Sequence, residues 1–305
     1  MITSIFSKSK PVNFIIVTIV VVLSFGLKIF SQINTDDFSF VLSALTLIIA
    51  IFYVFITDFI IAKNDLTTRH SYGIMVLGLL FLVFPEVYTN TNIVVANLLV
   101  LFALRRLFSL HTKRELIKKF FDAAFWIGLA SLFYTWAILY IIVVFFALAY
   151  YWQNEGKYIA VSIIGLLTIF LLLLIYNITL KDKFFFESNF DIAFSLDFSS
   201  YNSLSNIIRL TIVATIYFWS LLFYLKSFSG KNKKIRPLHT LVVVASIIAV
   251  FIFALAPNKN GSEFVFLFVP FAIITANYIE TIEEYWFKEV FVGLLILAPI
   301  LNLVL

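Results

Sequence analysis

RRLFSLHTKRELIKKFFDAAFWIGLASLFYTWAILYIIVVFFALAYYW, residues 105–152, sets a basic arm against an almost unbroken apolar run of 32 residues that begins at Phe121. As a single helix that run spans roughly 48 Å at 1.5 Å per residue, while the hydrocarbon core of a bilayer is about 30 Å thick. The helix must therefore tilt strongly or fold back, and the fold-back point is Tyr134, Thr135 and Trp136. Charge decides between the two, because Lys and Arg collect in cytoplasmic loops and every later loop changes side with the choice. A hairpin puts the later cluster Lys226, Lys231, Lys233, Lys234 and Arg236 inside, whereas a single span puts it outside. The hairpin is expected, with arms of about 14 and 16 residues, short enough to predict a pair packed among other helices.

Composition points the same way. The mean hydropathy is +1.04, with 62% hydrophobic and 13% charged residues, against about 45–50% and about 25% in soluble domains. A net charge of +5 sits in short loops between apolar runs, where membrane orientation explains it and nucleic acid is not required. With no cysteine, thiolate catalysis and Cys-ligated metal or iron–sulfur sites are excluded. Lys8 and Lys10 precede the apolar run 11–30 with signal-peptide polarity, but the run is about 20 residues long and no Ala-x-Ala site follows, so it reads as a retained first span.

Apolar runs bounded by polar loops place spans near 11–30, 39–62, 72–85, 93–104, 121–134, 136–152, 157–178, 206–228, 238–256, 264–279 and 290–305. The expected fold is an all-α polytopic transmembrane helical bundle of about 11 spans, within about 9–12. It forms one integral membrane domain over 1–305, multi-pass in the cytoplasmic (inner) membrane, with its N-terminus cytoplasmic. Residues 105–120 mix Leu107, Leu110, Leu116, Ile117 and Phe120 with six Lys/Arg and His111. Two descriptions fit that arm equally: a helix lying in anionic headgroups, or a solvated positive-inside loop. Between Phe190 and Phe198 apolar and polar residues alternate, which predicts an extended segment with an aromatic edge on the membrane or over a cleft.

Chemistry is sought at span ends, since ionisable groups at membrane depth are expensive. On the predicted outer side these are Asp36 and Asp37 after the first span, Glu86 after the third, Arg209 at the start of the eighth and Lys259 before the tenth. A carboxylate there suits a general base or a divalent-metal ligand, and Arg and Lys suit phosphate. Each residue also has an ordinary use as a helix cap, a snorkelling anchor or a loop charge. His70, His111 and His239 lack metal-ligand spacing, and Asp58 near an inner span end suits snorkelling or pairing better than a proton relay. No phosphate loop, nucleophile elbow or dinucleotide fingerprint is present.

Residues 125–141, FWIGLASLFYTWAILYI, resemble the paired short helices of integral membrane glycosyltransferases of the C superfamily. The stretch 256–276, APNKNGSEFVFLFVPFAIITA, resembles their Lys-containing outer loop leading to a helix with a central Pro. The resemblance implies transfer of a sugar from a polyprenyl-phosphate carrier on the outer face. It also implies acids after the first and third spans, the positions of Asp36, Asp37 and Glu86, and a carrier-binding loop at Lys259. As a whole the chain resembles an uncharacterised family of integral membrane proteins from the Bacteroidota, which implies no activity.

The expected function is a small polyprenyl-phosphate-sugar-dependent glycosyltransferase. In it Asp36 or Asp37 acts as base or metal ligand, Glu86 assists, and Arg209 and Lys259 bind the carrier phosphate. The alternatives are a non-catalytic membrane scaffold of an envelope or export complex and, ranked lower, a small-molecule transporter.

Overall fold

The computed structural model describes residues 2–31, 39–151, 156–181, 193–230, 232–233, 235–257 and 259–304. Among them there are twelve α-helices joined by loops and short 3-10 turns. They are α1 (Ile2–Phe6), α2 (Pro11–Phe30), α3 (Phe40–Lys63), α4 (Tyr72–Val83), α5 (Thr91–Phe108) and α6 (Leu116–Phe133). After these come α7 (Ile141–Tyr151), α8 (Lys157–Lys181), α9 (Leu204–Ser227), α10 (Arg236–Leu255), α11 (Val265–Thr281) and α12 (Tyr285–Val304). Every apolar run read as a span is helical. Seven segments are long and apolar enough to cross a bilayer: Pro11–Phe30, Phe40–Lys63, Thr91–Thr112, Lys157–Thr179, Leu204–Ser227, Arg236–Leu255 and Ser262–Thr281. This is the pattern of a multi-pass membrane protein.

Two compact units emerge from the packing, one of residues 1–94, 196–231 and 258–305, the other of residues 95–195 and 232–257. In the first unit α4 and α11 form the centre. Twelve residues make α4 about 18 Å long, too short to reach across a hydrocarbon core, and 11 of the 12 are buried. Glycine permits that crowding, since a Cβ at Gly78 would lie 2.9 Å from Val17 Cγ1. Around this centre α2, α3 and α9 turn Ile15, Ile19, Leu23, Ile48, Phe52, Phe218 and Leu222 outward, the apolar surface a bilayer accommodates.

Opposite ends of α4 and α11 meet. Phe84 stacks on Phe264 with centroids 4.3 Å apart, and His70 Nε2 lies 3.0 Å from Glu280 Oε2 at the far end. The two helices are therefore antiparallel, and the unit has two distinct ends. One carries residues 84–90, 196–203 and 259–264. The other carries residues 64–71 and the start of α12, where Glu289 accepts hydrogen bonds from Ile2 N and Thr3 N.

In the second unit the expected fold-back is present. Helix α6 stops at Phe133, Thr135–Tyr140 form a 3-10 turn, and α7 follows. A Cβ on Gly165 would meet Phe121 O at 2.7 Å and one on Gly128 would meet Ile169 Cγ1 at 3.2 Å, so α6 and α8 run parallel in close contact. Two parallel neighbours joined by 134–156 require that segment to travel back, which a single long helix cannot do.

The basic arm exposes Thr112, Lys113, Arg114 and Glu115 outside any α-helix, as a solvated loop does. It is the last turn of α5, the 3-10 turn Ser109–Thr112, a tight reversal and the first turn of α6. Lys113 and Glu115 make the reversal with φ of 55° and 51°. Leu107, Leu110, Leu116 and Phe120 are buried, and buried Lys119 donates to Ser109 O (2.6 Å) and Thr112 Oγ1 (2.8 Å).

Candidate functional site

The site lies at one end of the first unit, and local chemistry fixes each of its parts. Helix α4 ends because Phe84 precedes Pro85, and a residue before proline is pushed out of the helical region. Its φ of −119° and ψ of 67° open a 3-10 turn, Pro85–Thr89, that presents Glu86. Helix α9 begins where Ser203 caps it, its hydroxyl accepting from Asn206 N at 3.2 Å. Asn206 and Arg209, three apart, then share a helix face. The 259–264 turn reverses at Gly261, with φ of 94°, and Asn260 Oδ1 accepts from Ser262 N at 3.0 Å.

Glu86 and Arg209 pair directly. Arg209 Nη1 donates to Glu86 Oε1 (2.8 Å) and to Val83 O (3.0 Å), and Nη2 donates to Asn206 Oδ1 (2.7 Å). The guanidinium carbon lies 5.2 Å from the centroid of the Phe84 ring. The side chain of Arg209 is only 2% exposed and that of Glu86 20%. Arg209 Nε and Glu86 Oε2 are buried without a hydrogen-bond partner. The pair thus keeps one donor and one acceptor unused, facing no solvent.

Beside it stands a second carboxylate that the sequence reading does not single out. Glu263, fully buried, accepts from the Tyr201 hydroxyl through Oε1 and from Gly261 N through Oε2 at 3.0 Å. Gly261 couples the two acids, because a Cβ there would meet Glu86 Cβ at 3.2 Å. Burial, with the Glu263 charge adding to it, pushes the Tyr201 hydroxyl far up, so it remains a donor. The Lys259 ammonium lies 4.7 Å from the centroid of the Phe198 ring. Burial pulls its pKa down, opposed by the charges of Glu263 and Asp197. Asp197 is held below the usual carboxylate range, first by the Ser199 backbone N–H (2.9 Å).

Of the residues expected on sequence grounds, Glu86, Arg209 and Lys259 gather at this end. Asp36 and Asp37 lie outside the described residues, as does the stretch Phe190–Ile192 of the alternating segment. From Ala193 to Phe198 the chain is irregular and exposed, with Ser195 N bonded to Leu255 O at 3.2 Å in the second unit. Among the described residues no three His, Asp or Glu side chains group as a metal site. The model of DUF6427, a family of unknown function, matches residues 1–303. The chain belongs to this family. No curated protein and no solved structure matches it.

Membership of DUF6427 assigns no residue a role, so the chemistry rests on this geometry. Glu263 had one sequence signal, an acid placed immediately before the apolar run 264–279. Tyr201 had none, being one aromatic residue in an aromatic-rich segment.

Proposed function

We propose that this protein transfers a sugar from a polyprenyl-phosphate carrier to an acceptor on the non-cytoplasmic face of the inner membrane. The observation that carries this is the gathering of Glu86, Arg209, Lys259, Glu263 and Tyr201 at a single end of the first unit, with Glu86 Oε2 and Arg209 Nε unsatisfied. The second half of α2 and the second turn of α3 pack toward the same end: Ser24 Oγ donates to Phe81 O (2.6 Å), and the Thr46 and Thr91 hydroxyls lie 2.7 Å apart.

In the reaction an acceptor hydroxyl oxygen attacks the anomeric carbon as that carbon's bond to the phosphate oxygen breaks. Polyprenyl phosphate leaves, and the acceptor proton passes to Asp36 or Asp37. Glu86 assists, held in place by Arg209. Lys259 provides positive charge for the carrier phosphate, and the Arg209 guanidinium adds to the positive field at that end. Orientation is supported by charge. Lys8, Lys10, Lys63 and Arg69 stand at the opposite end of this unit, as the positive-inside rule requires of a cytoplasmic face. All eleven apolar runs then cross or enter the bilayer.

The test is a deletion strain complemented with wild type, with Asp36→Asn plus Asp37→Asn, or with Glu86→Gln, each shown to insert at normal level. Mass spectrometry of envelope glycans is expected to show a glycan lost on deletion, restored by wild type and reduced at least about a hundredfold by either variant. Full restoration by both variants, or a deletion that alters no glycan, removes the enzyme and leaves the non-catalytic scaffold.

A further inference from the structure

The polar end of the first unit is shut. Lys259 is 6% exposed, Tyr201 6% and Arg209 2%, so a ligand phosphate does not reach the two cations as they stand. Part of their cover is the segment 196–203, which leads into α9 and belongs to the same unit. Within it Tyr201 alone is buried, and the residues on either side are exposed. Ser199 N donates to Asp197 Oδ1 (2.9 Å), Tyr201 N to Phe198 O (2.9 Å) and Asn202 N to Ser199 O (3.0 Å). These bonds close turns inside the segment, so they keep its shape and survive its displacement as one piece.

Two of its side chains fasten it to the site. The Tyr201 hydroxyl donates to Glu263 Oε1, and the Phe198 ring lies against the Lys259 ammonium, with 4.7 Å from nitrogen to centroid. Phe198 is 41% exposed where Lys259 is 6% exposed, so the ring is the outer member of that pair. A cation over a partly exposed ring is held less strongly than one hydrogen-bonded to a phosphate. A phosphate can therefore take the ammonium from the ring, and a neutral ligand cannot. We infer that residues 196–203 are a lid, latched by Tyr201 on Glu263, and that a phosphate-bearing ligand opens it by drawing Lys259 away from Phe198. The hinge is Ser203, whose hydroxyl accepts from Asn206 N where α9 begins. The lid rests on these contacts, while the choice of phosphate rests on the transferase reading. A closed lid lowers apparent affinity by the fraction of molecules that are open. Weakening the latch thus tightens binding, the opposite of what losing a merely structural contact does.

The test uses the full chain in detergent, acetylated with an N-hydroxysuccinimide ester while each lysine is followed by peptide mass spectrometry. In wild type Lys259 is expected to react at least about tenfold more slowly than exposed Lys8. Tyr201→Phe, which unfastens the latch, is expected to speed Lys259 about tenfold and Phe198→Ala about fivefold, with Lys8 unchanged. Binding of farnesyl phosphate to the same proteins, measured by calorimetry, is expected to tighten by similar factors. Inorganic phosphate is expected to show that gain at lower affinity, and farnesol, which has no anion, to show none. Equal affinity for the two phosphates would assign the lid to a free anion and overturn a lipid ligand. Lys259 reacting as fast as Lys8 in wild type would overturn the lid without any variant having to fold. Weaker binding of farnesyl phosphate by Phe198→Ala, a change at an exposed residue, would overturn it as well. Uncovering of Lys259 by both variants with no binding of farnesyl phosphate would uphold the lid and remove the carrier reading instead.

Discussion

Arg209→Met is expected to destabilise the protein by about 3–5 kcal/mol, because it strips the cation from a buried pair and leaves the Glu86 carboxylate uncompensated. The same change strands Asn206 Oδ1 and the carbonyl of Val83, which accept from the guanidinium now. The double variant Glu86→Met, Arg209→Met is expected to recover most of that loss, since no unpaired charge remains. Equilibrium unfolding of wild type, Arg209→Met, Glu86→Met and the double variant in mixed micelles makes the comparison. A double variant as unstable as the sum of the singles would show that the two side chains do not act on each other. The consequence for function is direct. Arg209 is first the residue that fixes Glu86, and a loss of activity in Arg209 variants has to be separated from loss of the fold.

Glu263→Ala carries the second large effect, about 3–5 kcal/mol. It empties a fully buried site and removes the acceptor of both Tyr201 Oη and Gly261 N, each donor costing on the order of 1–3 kcal/mol when left unpaired. Glu263→Gln keeps the volume and one carbonyl acceptor and is expected to cost less than half as much. Tyr201→Phe is expected to fall between them, at about 1–3 kcal/mol, because it leaves one carboxylate oxygen without its donor. Equal stability of Glu263→Ala and wild type in the same unfolding assay would mean that this carboxylate holds nothing together.

These variants separate the parts of the account that were legible in the sequence from those that were not. The turn at Tyr134–Trp136 could be read because length and charge both forbid a single 32-residue helix. The run 72–85 could be read as an apolar span but not as a buried one, because its burial follows from the helices that pack around it. The Glu86–Arg209 pair could not, since 123 positions separate them and only the packing of α4 and α9 with α11 brings them within 2.8 Å. Glu263 looked like one more loop charge in the stretch 258–263, whereas Gly261 turns it inward. The reversal within the basic arm was not legible for a related reason. It runs through left-handed Lys113 and Glu115, residue types that do not announce that conformation, so no glycine or proline marks the end of α5. Boundaries moved accordingly, and the run read as 93–104 extends over Thr91–Phe108 because Arg105 and Arg106 continue the helix.

The central claim is that the polar end built on Glu86, Arg209 and Glu263 works on the non-cytoplasmic face. The absence of native cysteine makes this directly measurable. Ser200→Cys places a thiol on an exposed residue at that end, and Thr68→Cys places one on an exposed residue at the opposite end. Labelling of intact cells with a membrane-impermeant maleimide is expected to modify Ser200→Cys at once, and Thr68→Cys only after permeabilisation. The reverse pattern would put Glu86 and its neighbours in the cytoplasm and contradict transfer from an outward-facing carrier.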